Sequence, residues 1–145
     1  MGSSRNKSDG DSMMTNDFQI QLLRFINDLK LPITARIDFL THDEDLVIFT
    51  LPGGKVDKTF MDGTQEVRLP YQFAIKTKDN EKGNRVLWMI NEALSQFNLD
   101  IPSGNGSYQF LSMTLSKPFL EGVDEQGFYV YLLQIEAHLE IGGNS

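Results

Sequence analysis

FMDGTQEVRLPYQFAIKTKD, residues 60–79, decides how the rest of the chain is read. Val67, Leu69, Tyr71, Phe73, Ile75 and Thr77 share one face of an extended segment, and Arg68, Gln72, Lys76 and Lys78 share the other. Alternation with period two marks a half-buried β-strand. Met61-Asp62-Gly63-Thr64 places a turn just before it, so residues 56–78 read as a β-hairpin whose outer end is free to project beyond the sheet. Nothing in the stretch has the character of a nucleophile, base or metal ligand.

Upstream, TARIDFL alternates Ala35, Ile37 and Phe39 against Arg36 and Asp38, and LVIFTL is apolar on both faces, as suits a covered central strand. Pro52-Gly53-Gly54 separates it from the hairpin. Before these strands, FQIQLLRFINDLKL carries Phe18, Leu22, Phe25, Ile26 and Leu29 at helical spacing, with Thr15, Asn16 and Asp17 offering cap oxygens and Pro32 ending the element. Downstream, Asp79 or Asn80 caps a second helix, with Glu81 in its first turn. Val86, Met89, Ile90, Ala93, Leu94 and Phe97 form its stripe, and Trp88 lies at the edge, placed to cover a strand. DIPSGNGS is loop by composition, and a final strand pair follows, YQFLSMTLSK and FYVYLLQIEAHLEI. In the last strand Tyr129, Tyr131, Leu133, Ile135, Ala137, Leu139 and Ile141 share a face; the other begins apolar at Phe128, Val130 and Leu132 and turns polar from Gln134. The order α-β-β-β-β-α-β-β, with hairpin-length connections, predicts an α+β fold: a mostly antiparallel or mixed sheet with two helices packed on it.

A length of 145 residues suits one domain with a core of its own, and 40% hydrophobic with 23% charged residues is ordinary globular composition. MGSSRNKSDGDSMM, residues 1–14, reads as a disordered leader or tag ahead of a natural start at Met13 or Met14, leaving residues 15–145 as a single domain. The absence of cysteine removes disulfides, thiolate nucleophiles and Cys-based metal sites and permits a reducing compartment. A net charge of −7, with no basic run longer than Lys76-Thr77-Lys78, argues against sequence-specific nucleic-acid binding. No apolar stretch approaches the roughly 20 residues that span a bilayer, so no membrane partner is expected of a chain that reads as soluble.

The search for chemistry comes back empty. His42-Asp43-Glu44-Asp45 is a run of consecutive residues and reads as a solvated turn, since metal ligands converge from spaced positions. His138 between Glu136 and Glu140 reads as an exposed polar strand face rather than a metal or titrating site. KDNEKGN fails as a calcium loop because Lys78 falls on the first ligand position, and SGNGS precedes a strand where a phosphate cradle needs a helix. No serine sits in a Gly-x-Ser-x-Gly elbow. Two apolar features instead invite a partner. Phe60 and Met61 stand beside a turn tip, where they either curl back under the hairpin or meet another chain, and the Phe128–Val130–Leu132 row needs a helix or a neighbour to cover it. Lys55, Asp57, Lys58, Phe60, Met61 and Asp62, with Phe128, Val130 and Leu132, are therefore the candidate partner-binding residues.

LLRFINDLKLPITARIDFL, LPGGKVDKTFMDGTQEVRLPYQFAIKTKD, LWMINEALSQFNLDIPSGNGSYQFLSMTLSKPFL and DEQGFYVYLLQIEAHLEI together resemble the minor capsid proteins of tailed phages and prophages of Gram-positive bacteria, a family similar to phage tail terminators. The resemblance spans residues 16–141 and rests on element order and wording, not on a compact motif. It implies a small α+β subunit of the virion's head–tail junction, made in the host cytoplasm. Such subunits form a ring, commonly of six, that caps the tail tube and receives the head connector or stopper protein. It implies no catalytic residue and no cofactor. Six copies would carry about −42 before screening, enough for a bore that repels DNA phosphates. Two other readings are a small hydrolase built on carboxylates or His138, and a non-catalytic ligand- or peptide-binding module. An enclosed apolar pocket of a few hundred Å3 would favour the module.

Overall fold

The computed structural model describes residues 16–41 and 43–142; the predicted leader and His42 lie outside them. The described order is α1 (Phe18–Asn27), β1 (Ala35–Ile37), β2 (Asp45–Thr50), β3 (Lys55–Thr59), β4 (Gln65–Thr77), α2 (Asn80–Leu94), β5 (Gln109–Leu115), β6 (Phe119–Val123) and β7 (Tyr129–Ile141). The predicted α+β class and mixed sheet are present, with one strand more than expected, β6.

The centre of the sheet is the antiparallel ribbon of β4 and β7, each 13 residues long and paired from Gln65↔Ile141 to Thr77↔Tyr129 without a break in register. Two short strands share each flank. Along β4 these are β3 against residues 65–68 and β2 against residues 71–76; along β7 they are β6 against 129–132 and β5 against 135–140. β1 pairs with β2 in parallel, which makes the sheet mixed. β3, β5 and β6 each carry one register shift, at Asp57, Leu111 and Glu121, and such bulges blunt an edge against open-ended strand addition. β6 escapes a reading of periodicity because PFLEGV combines Pro118, a glycine and no alternation. It is a strand because β7 offers pairing positions beyond the reach of β5.

Both helices bury their stripes on one face of the ribbon. Val67, Tyr71, Phe73 and Ile75 of β4 and Leu133, Ile135, Ala137 and Leu139 of β7 join Phe18, Leu22 and Ile26 of α1 and Val86, Leu87, Ile90 and Leu94 of α2 in one core cluster. Each large side chain taken fully from water contributes roughly 1.5–3 kcal/mol, so this cluster dominates the stability. Phe18 is its hub, with ring centroids 5.6 Å from Tyr71, 5.4 Å from Tyr108 and 6.2 Å from Phe110. Burial pushes the Tyr71 hydroxyl up to about 12.

The helices differ from expectation in two ways. α1 ends at Asn27, well before Pro32, because the Asn27 amide bonds both backbone groups of Ala35 (2.8 and 3.1 Å), and Lys30 turns left-handed with φ 59°. The stripe of α2 is rotated. Leu87 is buried, while Met89 and Trp88 are about two-fifths exposed and Phe97, beyond the helix, is fully exposed. Gly83 sets that rotation, since a Cβ there would stand 2.9 Å from the Tyr131 ring and 3.1 Å from Thr77 Cγ2. The Asp79 carboxylate caps α2 as expected, accepting from the Lys82 N–H at 3.1 Å.

Candidate interface surfaces

The hairpin β3–β4 is held in the sheet more fully than its sequence suggests. Gln65 pairs Thr59 on one side and Ile141 on the other, so only the turn Phe60–Thr64 lies beyond the last paired row. Phe60 N–H donates to Thr64 O (2.8 Å), Gly63 N–H to Phe60 O (3.0 Å) and Thr64 N–H to the Asp62 carboxylate (2.9 Å). That last bond holds the Asp62 carboxyl below its usual range. Gly63 takes φ 90°, where a side chain would be strained. The rigid turn presents Met61 with 106% relative exposure, so the side chain does not curl back under the hairpin. Phe60 is 39% exposed, with Lys58 Nζ 5.6 Å from its ring centroid. Lys55, Asp57 and Lys58 line the exposed strand β3, and Asp57 forms a 2.7 Å ion pair with Arg68 of β4.

Phe128, Val130 and Leu132 lie on the face away from the helices and are half-buried. An apolar row crosses four strands there, Val47–Ala74–Leu132–Phe119, and Val47 and Ala74 are buried outside the main core cluster. What covers this end is the segment leading into β2. Arg36 donates to Phe39 O and the Asp45 carboxylate, Lys76 Nζ donates to Thr41 O (3.0 Å), and Thr41 N–H donates to Asp45 (3.0 Å). Burial raises the Asp45 carboxyl, but the Arg36 and Thr41 bonds outweigh it and the net shift is downward. Phe128 finds partners within the chain, with Lys76 and Lys78 Nζ at 4.9 and 5.1 Å from its ring centroid. The turn expected to be solvated at 42–45 is exposed at Asp43 and Glu44 but buried at Asp45 within the described residues. Glu44 accepts from Thr77 Oγ1 and Lys82 Nζ, which lowers its carboxyl, and Asp45 is 6% exposed.

His138 lies on the same face, bonded to Thr114 Oγ1 at 2.9 Å and 3.8 Å from Glu136, which Arg68 also meets at 3.8 Å. Among the described residues no group of three or more His, Asp or Glu side chains is placed to hold a metal ion. No helix among the described residues is long and apolar enough to cross a membrane. The SGNGS loop spends its donors on the chain itself. Ser103 Oγ (2.7 Å), Gly104 N–H (2.7 Å) and Ser107 Oγ (3.0 Å) donate to the Asp17 carboxylate, as does Gln21 Nε2 (3.0 Å). Burial alone would raise the Asp17 carboxyl; the four hydrogen bonds bring it down to about 2.

One feature has no signal in any single stretch of sequence. The end of α2 and the outer side of β5 enclose an open groove of about 350 Å3, lined by Leu94, Phe97, Leu99, Phe110, Leu111 and Met113 among others. Its two walls come from residues 94–99 and 110–115, and the exposed Phe97 and the bulged Leu111 stand in its lining. The Phe60–Met61 turn beyond β3 and this groove beside β5 therefore stand at opposite edges of the sheet, while other exposed apolar side chains, Phe39 and the β6 residues Phe119, Leu120 and Val123 among them, lie elsewhere.

Among curated proteins, no match is found for the chain. The family model described as bacteriophage tail terminator protein matches residues 15–141, from just before α1 to the last residue of β7, and the chain belongs to that family of structural phage proteins.

Proposed function

We propose that the protein works in the virion as a ring subunit, commonly one of six, that stops the tail tube and presents the docking surface for the head connector or stopper protein. It acts by shape, without turnover, in tailed phages or prophages of Gram-positive bacteria. The observation that carries this reading is the apolar Phe60–Met61 turn, which stands beyond the last paired row of the sheet with Phe60 partly exposed and the Met61 side chain fully exposed among the described residues. Lys55, Asp57, Lys58 and Asp62 flank it as a charged rim, and the Phe128–Val130–Leu132 side of the sheet faces the tube or the connector. A ring repeats one heterologous contact until rotation closes it, and a stable contact buries roughly 1,200–2,000 Å2. The acidic balance of the chain gives the bore a charge that repels passing DNA.

The test is negative-stain imaging of purified tail tubes with and without the protein. Rings at tube ends support the reading; bare ends at saturating protein would overturn it. The module reading draws on the α2–β5 groove, which is of the size expected for a ligand but is open rather than enclosed.

A further inference from the structure

We infer that the α2–β5 groove receives the Phe60–Met61 turn of a second copy of this chain; the inference rests on the ring reading and names the contact that would close it. Three observations carry it. The first is placement. The row Lys58–Glu66–Glu140–Gln109 crosses β3, β4, β7 and β5, so turn and groove flank opposite ends of the same sheet rows, about 14 Å apart at three strand spacings. A projection on one edge and a recess on the other make a head-to-tail contact that uses each surface once per copy.

The second is shape and polarity. Met61 is a flexible apolar side chain with full exposure, and Phe60 lies beside it. The groove offers about 350 Å3 with seven apolar side chains in its lining. Methionine adapts to irregular apolar recesses, and an aromatic neighbour adds area at small entropic cost.

The third is charge. Each copy carries −7, so two copies repel except where local charge vanishes. The ten residues lining the groove include no charged side chain. Across residues 55–62, Lys55 and Lys58 balance Asp57 and Asp62. Turn and groove are thus electrically matched to each other on a molecule that is otherwise acidic.

The chain has no cysteine, which makes the contact directly testable. In the double variant Met61→Cys/Leu111→Cys the two thiols of one copy are too far apart to bridge, because a disulfide needs Cα atoms within about 7 Å. Covalent products therefore join different copies. Oxidised in the presence of purified tail tubes, the double variant is expected to give a ladder of trimers and longer species on denaturing gels. Met61→Cys alone can reach only dimers, and Met61→Cys/Ile20→Cys, with the second thiol at an exposed position of α1, controls for random encounter. A ladder no stronger than that control, with rings still visible at tube ends, overturns this contact and leaves the ring reading standing. No ladder and no rings overturns both. Met61→Asp gives an independent measure: circular dichroism and melting stay as in the parent protein, while tube-end occupancy falls at least tenfold. Unchanged occupancy counts against the contact.

Discussion

The turn at 60–64 and the loop at 103–107 are both five-residue segments bent at a glycine in left-handed backbone, yet they relate to the rest of the molecule in opposite ways. The loop turns inward. Its two serine hydroxyls and one backbone N–H converge on Asp17, ninety residues away in sequence from Ser107, and fasten the start of α1 to the approach to β5. The turn closes on itself through three local hydrogen bonds and leaves Met61 in water. One segment contributes to folding the chain; the other contributes little to folding and is free for an external partner. The contrast separates residues that answer to stability from residues that answer to assembly.

That separation can be broken by experiment, and the largest effect is expected at Asp17. Asp17→Ala removes the acceptor for four donors, and bonds to a charged acceptor contribute more than neutral ones, so we expect a loss of about 3 kcal/mol in denaturant unfolding. A loss below about 0.5 kcal/mol would place the anchor elsewhere. Acid should report the same network. The folded carboxyl lies near 2 against 3.8 for an ordinary aspartate, so its stabilisation is complete above pH 3.8 and is lost as pH falls toward 2. After allowance for solvent screening this amounts to about 1–2 kcal/mol, absent from the pH profile of Asp17→Ala.

Glycine exchange compares the two segments on equal terms. Gly63 (φ 90°) and Gly106 (φ 78°) both hold left-handed backbone, so alanine at either costs about 1 kcal/mol, measurable as a fall in melting temperature. The smallest effect on stability belongs to Met61→Asp, within about 0.5 kcal/mol of the parent because that side chain is fully exposed among the described residues. A larger change would tie the turn to folding and weaken the comparison.

How much of this was legible in the sequence depended on the length of each pattern. β4 alternates along most of its 13 residues and β7 from Leu133 onward, patterns long enough to fix their facing. β6 is short and unpatterned, and only the surplus length of β7 makes it a strand. The rotation of α2 was hidden because Leu87 and Met89 are equally apolar; the choice is made by Gly83 seating against Tyr131, a contact across 48 positions. Asp17 looked like a helix cap because its neighbours did, yet it makes no cap bond in α1 and serves the distant loop instead. The projecting turn was visible as Phe60-Met61 beside Asp62-Gly63, whereas the groove was not, since its walls meet only after the sheet has formed.

The unbroken pairing of β4 with β7 has a mechanical consequence. Thirteen rows in register span about 40 Å, and a pull along the strands loads them in shear, so they resist together instead of opening one at a time. For a structural phage protein that comes under load, this ribbon is its beam.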